Sequence, residues 1–220
     1  MSASYQVTDG VAVISLDNPP VNGLGQSTRA GIVDGIQKAQ ADAAVQAVVI
    51  IGSGKVFCGG ADIREFGSPK AFAEPNLHVT IEAVERSAKP VVAAIHGVAM
   101  GGGLELALGC HYRVAVPSAR FGFPEVNLGI IPGAGGTQRL TRVVGAAKAK
   151  ELILFAQRLS AAEAQQLDQD LGDLGLFAAP VGKAAPVQEI AIAPADARYH
   201  WPLWVGKRWS SHFLRKAPGG

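Results

Sequence analysis

The sequence predicts an α/β fold, in which buried strands and helices alternate along the chain. Two patterns predict it: short apolar runs of strand length, and longer stretches in which apolar residues recur at helical spacing. A third observation is the apolar content, since 48% of the 220 residues are hydrophobic and can bury a sizeable core. This length suits one domain, or one domain with an additional terminal piece.

The first predicted element is a β-hairpin. YQVT and VAVISL flank Asp9-Gly10, a dipeptide that favours a tight turn between antiparallel strands. Asn18-Pro19-Pro20 ends the second strand, because proline cannot donate to a strand ladder. A helix is then predicted over 29–45, where apolar residues recur every three or four positions.

The alternation continues through the rest of the core. Buried strands are predicted at AVVIIG (47–52), PVVAAIHG (90–97) and YRVAV (112–116), with helices around Leu77, Ile81 and Val84, over 134–144 and over 146–157. Ser160 and Glu163 have capping-box spacing, which predicts a short helix that extends to about Leu167. Strands that alternate with helices favour an α/β class.

Composition excludes several classes of function. A formal net charge of +2 gives no global electrostatic case for a nucleic-acid or membrane partner. The N-terminus lacks the basic and apolar regions of a signal peptide, and no apolar run approaches the roughly 20 residues that span a bilayer. Cys58 and Cys110 make no disulfide framework, which fits a reducing compartment, so we expect a cytoplasmic protein.

Two familiar binding motifs are excluded by their spacing. GSGK at 52–55 is no phosphate loop, because Val49 stands where its first glycine belongs and Val56 where Ser or Thr belongs. A glycine fingerprint for nicotinamide does not follow any predicted strand. The five histidines show no metal-ligand spacing. We therefore expect neither a metal nor a separate cofactor.

Three glycine-rich stretches remain: FCGGADIREF (57–66), GGGLELALG (101–109) and FGFPEVNLGIIPGAGGTQRL (121–140). Each alone has an ordinary structural explanation. Glycines often make a tight connection before a helix, Glu105 could be a first-turn acid favoured by the helix dipole, and Glu125 could be a surface residue. A glutamate inside an apolar run is nevertheless costly to bury, which suggests that a reaction requires it.

Taken together with SLDNPPVNGL, KPVVAAIHGVAMGGGLELAL and LSAAEA, these stretches resemble the enoyl-CoA hydratase/isomerase, or crotonase, superfamily over about residues 5–167. The resemblance implies a crotonase-like spiral of strand-strand-helix turns with two near-perpendicular sheets, and a catalytic core over 1–167. SLDNPPVNGL resembles the hydratase part of bifunctional hydratase/3-hydroxyacyl-CoA dehydrogenase proteins. We expect this chain to be too short for the dehydrogenase part.

The resemblance also implies a set of catalytic groups. The amides of Ala61 and Gly102 would donate to the thioester oxygen as an enolate forms, in an oxyanion hole. Glu105 would be the base that orients and deprotonates water, and Glu125 the acid that protonates the α-carbon. The amide of Gly133 would help to hold the water.

Substrate binding is implied for the segment Ala61-Asp62-Ile63-Arg64, together with Gly102. The segment would line the CoA site largely through backbone contacts, and Arg64 would either attract phosphate or be an ordinary solvated arginine. The presence of both glutamates favours hydration of 2-enoyl-CoA in fatty-acid β-oxidation. The alternatives are 3-enoyl-CoA to 2-enoyl-CoA isomerisation and an inactive acyl-CoA-binding remnant of a disrupted gene. By resemblance the partners are a trimer-based homo-oligomer or a separate 3-hydroxyacyl-CoA dehydrogenase.

Residues 168–220 do not match the superfamily. Helical periodicity is poor there, and 197–220 contain five basic residues and no acid. A shifted reading frame after about Leu167 would produce this break. A divergent, linker-like or disordered C-terminus is the alternative, and a third interpretation takes the Trp/Arg/Lys cluster as a membrane or nucleic-acid contact.

Overall fold

The computed structural model describes residues 2–170. The strands are β1 (Ala3–Thr8), β2 (Val11–Leu16), β3 (Ala47–Gly52), β4 (Val91–Ile95), β5 (Val98–Met100), β6 (Tyr112–Ala115), β7 (Arg120–Gly122) and β8 (Arg158–Ser160). The helices are α1 (Gln26–Ala41), α2 (Leu77–Glu85), α3 (Gly102–Gly109), α4 (Gly136–Leu154) and α5 (Ala161–Asp170). Short 3₁₀ turns lie at Ile63–Glu65, Pro69–Ala71 and Glu125–Leu128.

The strands form two sheets. The larger has the order β1-β2-β3-β4-β6, antiparallel between β1 and β2 and parallel elsewhere. The smaller has the order β5-β7-β8, and an isolated bridge between Cys58 and Ala99 continues it. Each of α1, α3 and α4 follows a pair of strands, so the expected strand-strand-helix order is confirmed.

The hairpin and the buried strands lie where the sequence predicts them. Asp9 and Gly10 have φ of 50° and 79°, the left-handed conformations that a two-residue hairpin turn requires. Strand β3 has the predicted bounds and is buried at nearly every position, because parallel strands are covered on both faces. Helix α1 begins three residues before the predicted 29–45, since its first turn is polar, and it ends at Ala41.

Helix α3 is the most buried helix of the core. All eight of its residues are buried, and its side chains pack among the buried residues that include Phe57, Phe121 and Phe123. A helix that is apolar all round belongs inside a core. Glu105 is therefore a carboxyl group in the middle of the protein, as its sequence context predicts.

Helices α4 and α5 lie close to the predicted helices, and α4 differs from the prediction in one detail. Gly145 has φ 74° and ψ 161° inside α4, so the helix is interrupted between the two predicted segments 134–144 and 146–157. The capping box is confirmed: Glu163 accepts at 2.7 Å from both the backbone N–H and the hydroxyl of Ser160. The unmatched segment predicted over 168–220 lies, from residue 171 on, outside the described residues.

Within residues 2–170, none of the helices is long and apolar enough to cross a membrane.

Candidate active site

The glycine triplet at the start of α3 brings backbone next to a carboxyl group. Gly101 has φ 53° and ψ −126°, a conformation that only glycine adopts readily. A Cβ atom on Gly101 would lie 2.9 Å from Oε1 of Glu125. Position 101 therefore requires glycine for two reasons: its backbone angles, and the close approach of the Glu125 side chain.

Glu105 is held by the turn that precedes α4. Its Oε1 accepts hydrogen bonds from the backbone N–H groups of Ala134 and Gly136, both at 2.8 Å, and its side chain is 2% exposed. Burial raises the pKa of Glu105, while these two hydrogen bonds act in the opposite direction. The result is an oriented carboxyl group whose pKa is above its usual value.

Glu125 is the second buried carboxyl group. It opens the 3₁₀ turn Glu125–Leu128, and its Oε2 has no hydrogen-bond partner within residues 2–170. Burial, together with the negative charge of Glu105, raises the pKa of Glu125 to about 7. The two carboxyl groups therefore interact electrostatically but have different hydrogen-bond environments.

The two predicted N–H donors lie side by side. Gly102 is the first residue of α3, where backbone N–H groups have no intrahelical partner. A Cβ atom on Gly102 would lie 3.2 Å from the Ala61 nitrogen, and one on Gly60 would lie 3.5 Å from the Gly102 nitrogen. The Gly60–Ala61 and Gly101–Gly102 peptides thus border one small space. This space stays open because Gly60 and Gly102 have no side chain.

The Ala61–Arg64 segment lies at the surface beside these donors. Arg64 makes a two-point ion pair with Asp62, at 2.8 Å from Nε and 2.7 Å from Nη2, and Nη2 also donates to Asn18 Oδ1. The Arg64 guanidinium holds the pKa of Asp62 well below its usual range. Ile63 is 69% exposed. The Arg64 charge is therefore largely neutralised, which weakens the case that it attracts phosphate.

Gly133 is exposed in the same glycine-rich turn, one residue before the groups that touch Glu105. Its role in holding water stays a prediction. Sequence patterns do not reveal the contacts of Ala134 and Gly136, because Gly135 (φ 97°) between them sets which N–H groups point inward. Nor do these patterns indicate Arg139, which donates from Nη1 to the Ala134 carbonyl at 2.9 Å and pairs with Glu85.

Metal ligands do not cluster in this site. In the part of the chain that the structure describes, no group of three or more His, Cys, Asp or Glu side chains could hold a metal ion. The groups that converge are two carboxyl groups and two backbone N–H donors, an arrangement suited to moving protons beside a developing negative charge.

Comparison with known proteins identifies the family of this chain. The sequence profile of the enoyl-CoA hydratase/isomerase family matches residues 6–168. The peroxisomal bifunctional enzyme of Danio rerio is 53% identical over 166 residues, which cover 75% of this chain and 23% of that protein. The Homo sapiens enzyme of the same name is 47% identical over 199 residues, 90% of this chain and 27% of that protein. The chain thus spans about a quarter of the length of these bifunctional relatives.

Shorter relatives match over more of their own length. A probable enoyl-CoA hydratase of Bacillus subtilis is 43% identical over 197 residues, 87% of this chain and 74% of that protein. The crystal structure of an enoyl-CoA hydratase from Bacillus anthracis superposes with a TM-score of 0.73 at 38% identity, covering 82% of this chain and 71% of that one. The chain therefore belongs to the enoyl-CoA hydratase/isomerase family and has the crotonase fold.

Proposed function

We propose that this protein is an enoyl-CoA hydratase, which adds water across the 2,3 double bond of 2-enoyl-CoA thioesters. One observation carries the proposal: two carboxyl groups are buried in different environments, Glu105 on the N–H groups of Ala134 and Gly136 and Glu125 against Gly101, the neighbour of the proposed donor Gly102. Family relatives named enoyl-CoA hydratase support the same reaction.

In the first step, water attacks C3 of the substrate. Glu105 takes a proton from the water, and its two backbone hydrogen bonds keep the accepting carboxylate in one orientation. As the oxygen–C3 bond forms, the π electrons move to the thioester oxygen. The N–H groups of Ala61 and Gly102 donate to that oxygen, whose charge is largest in the transition state.

In the second step, the enolate collapses and C2 takes a proton from Glu125. A pKa of about 7 leaves a substantial fraction of Glu125 protonated at neutral pH, as an acid requires. Glu105 retains the proton from water and Glu125 has lost one, so one proton returns through solvent between turnovers. The amide of Gly133 is proposed to help to hold the attacking water.

CoA is proposed to bind along Ala61–Arg64, mainly through backbone groups, and is part of the substrate rather than a cofactor. The apolar surface of Ile63, 69% exposed, is available to the adenine end. The neutralised Arg64 contributes little long-range attraction under this proposal.

The test is the loss of crotonyl-CoA absorbance on addition of the purified protein. We expect turnover by the wild type, and a fall of at least about a hundredfold in both Glu105→Gln and Glu125→Gln. Glu151→Gln, a surface glutamate paired with Lys148, serves as the matched control and should leave turnover unchanged. No turnover by a wild-type protein whose circular dichroism is that of a folded protein would contradict the proposal.

Isomerisation of 3-enoyl-CoA to 2-enoyl-CoA is the second candidate, because an acid with a pKa of about 7 can move a proton in either direction. A 3-hexenoyl-CoA assay distinguishes it: product formation without crotonyl-CoA hydration would favour an isomerase. Binding of acyl-CoA without either reaction would favour an inactive remnant.

The product, a 3-hydroxyacyl thioester, would be consumed by an oxidising enzyme, so we propose association with a separate 3-hydroxyacyl-CoA dehydrogenase. We also propose that the protein forms a trimer-based homo-oligomer and that it is cytoplasmic. The animal and plant relatives are named peroxisomal, which makes that compartment the alternative. Light scattering of the purified protein and fractionation of its source cells test these two points.

A further inference from the structure

A short segment after β2 lies behind the peptide that carries the Ala61 N–H. This bracing segment, residues 22–25, donates from the Leu24 N–H to the Gly60 carbonyl at 2.8 Å. The Gly60 carbonyl and the Ala61 N–H belong to one planar peptide. Holding the carbonyl therefore sets the direction in which the N–H points.

The other donor peptide is held differently. The Gly101 carbonyl accepts from the Glu105 N–H at 2.9 Å, which is the first hydrogen bond of α3. The helix itself thus orients the Gly102 N–H. The orientation of the Ala61 N–H depends instead on a loop-to-loop hydrogen bond, so whatever holds Leu24 also holds the donor.

Arg29 on α1 holds the bracing segment. Its guanidinium, 4% exposed, donates from Nη1 to the Leu24 carbonyl at 2.8 Å. The remaining donors reach the loop after the Ala61–Arg64 segment, through the partners Glu65, Lys70, Ala73 and Pro75. All five N–H donors of the arginine are used, which a lysine cannot reproduce.

A second contact holds the preceding residue of the segment. The hydroxyl of Thr28 donates to the Gly23 carbonyl at 3.1 Å in a buried position, and Asn18 Nδ2 donates to the same carbonyl at 2.7 Å. A Cβ atom on Gly25 would lie 2.9 Å from Glu65 Oε1, so the segment packs directly on the loop that Arg29 also binds.

We propose that Arg29 and Thr28 are positioning residues of the oxyanion hole, which act through the bracing segment and the Gly60–Ala61 peptide. The inference rests on the proposed role of the Ala61 N–H. Donors stabilise the transition state only when they are aimed at the oxygen in advance. Loss of the hydrogen bonds that hold Leu24 should therefore lower the rate of the chemical step more than it weakens the binding of substrate.

The first test is Arg29→Lys, with Arg113→Lys as the matched control. Arg113 is also 4% exposed and donates to the Ala107 and Cys110 carbonyls, at the far end of α3. We expect kcat on crotonyl-CoA to fall about tenfold in Arg29→Lys with KM changed less than about twofold, a smaller effect than loss of a whole donor. Arg113→Lys should lower the melting temperature but should not lower kcat selectively over KM in this way.

The second readout reports carbonyl polarisation without turnover. In 4-dimethylaminocinnamoyl-CoA, electron density moves toward the thioester oxygen, so hydrogen bonds to that oxygen shift its absorbance to longer wavelength. We expect a red shift on binding to the wild type, at least one third smaller in Arg29→Lys and unchanged in Arg113→Lys. An undiminished red shift in a folded Arg29→Lys protein, whatever its stability, would overturn the proposal.

If Arg29→Lys does not fold, Thr28 decides the question. Thr28→Val should reduce the red shift and Thr28→Ser should restore it, and equal shifts in the two would overturn the proposal. These outcomes are distinct from failure of the proposed function. A wild type that shifts the probe but does not hydrate crotonyl-CoA refutes the hydratase reaction alone, whereas a wild type that binds the probe without a shift overturns the positioning role.

Discussion

The two halves of the candidate oxyanion hole are held by different means. The Gly102 half belongs to α3, a helix whose eight residues are all buried and whose own backbone orients the donor. The Ala61 half is a loop oriented from outside by the bracing segment and by the side chains of Arg29 and Thr28. A backbone-held donor is sensitive to backbone strain, and a side-chain-held donor is sensitive to the loss of single hydrogen bonds. Substitutions should therefore disturb the two N–H donors in different ways.

The largest effect is expected in the Gly102 half, from Gly101→Ala. The new Cβ atom would meet Glu125 Oε1 at 2.9 Å and force an unfavourable backbone conformation, so kcat should fall at least about a hundredfold. Gly145→Ala is the matched control, because Gly145 also has a positive φ (74°) but has open space at its Cβ. Crotonyl-CoA hydration at near-normal rate in Gly101→Ala would show that the close approach is unnecessary.

The next effect concerns the Ala61 half and is expected in stability. Asn22 is 3% exposed, has φ 54° and donates from Nδ2 to the Ser53 and Val56 carbonyls at 2.9 and 2.8 Å. Asn22→Ala should lower the free energy of unfolding by about 2–3 kcal/mol, from strain and from carbonyls left without a partner. Denaturant melts measure this.

Asn22→Gly is the control that separates the two causes. It relieves the strain but not the lost hydrogen bonds, so it should be more stable than Asn22→Ala. Equal stability of the two variants would assign the whole effect to the hydrogen bonds.

A third prediction uses pH to separate the halves, since both carboxyl groups adjoin the Gly102 half. The pKa of Glu125 is raised to about 7 by burial and by Glu105, so its acid form is lost above that pH. We expect kcat/KM to fall about tenfold per pH unit well above pH 7. Affinity for the cinnamoyl probe should stay constant over the same range, and a parallel loss of affinity would contradict the separation.

Stability should follow the same titration. The folded state favours protonated Glu125, so its contribution is full below the unfolded pKa of about 4.3 and is lost as pH rises through about 7. Glu125→Gln should remove this part of the pH dependence. A wild-type melting curve that gains stability between pH 5 and 7 relative to Glu125→Gln would contradict the sign.

The smallest effect is expected at the surface edge of the Ala61 half, from Asp62→Asn. The pKa of Asp62 is lowered chiefly by Arg64, so the pair contributes stability above the unfolded pKa of about 3.9 that is lost at lower pH. Because the Arg64 side chain is 61% exposed, the loss at pH 7 should be only about 1 kcal/mol or less. KM for crotonyl-CoA should change less than about twofold; a larger rise would indicate that the pair binds substrate.

Part of this architecture could be predicted from the sequence. The sequence predicts strand β3 with its full bounds because a continuous β-branched run is typical of a parallel core strand. It also predicts the burial of Glu105 within an apolar run, whereas the catalytic role of Glu105 stays a prediction. Strands β5, β7 and β8 are not predicted, since three residues are too few to show a period.

The contacts that orient the site could not be predicted. Arg29 lies in a polar stretch that reads as solvent-exposed, and only the tertiary fold places carbonyls from the 65–75 loop around it. The Ala134 and Gly136 donors depend on one glycine backbone angle, which sequence patterns do not specify. Local periodicity predicts elements, whereas long-range hydrogen bonds depend on how those elements meet.

The complete burial of α3 also determines where this protein can change over generations. Any substitution in the helix alters the packed interior that positions Glu105, so that face of the active site is closed to gradual variation. A replacement in the exposed stretch around Ile63 and Phe72 (69% and 83% exposed) should leave the packing around Glu105 intact. Under the proposed function, new acyl-CoA preferences should therefore arise at that outer edge, while the proposed acid and base stay in place.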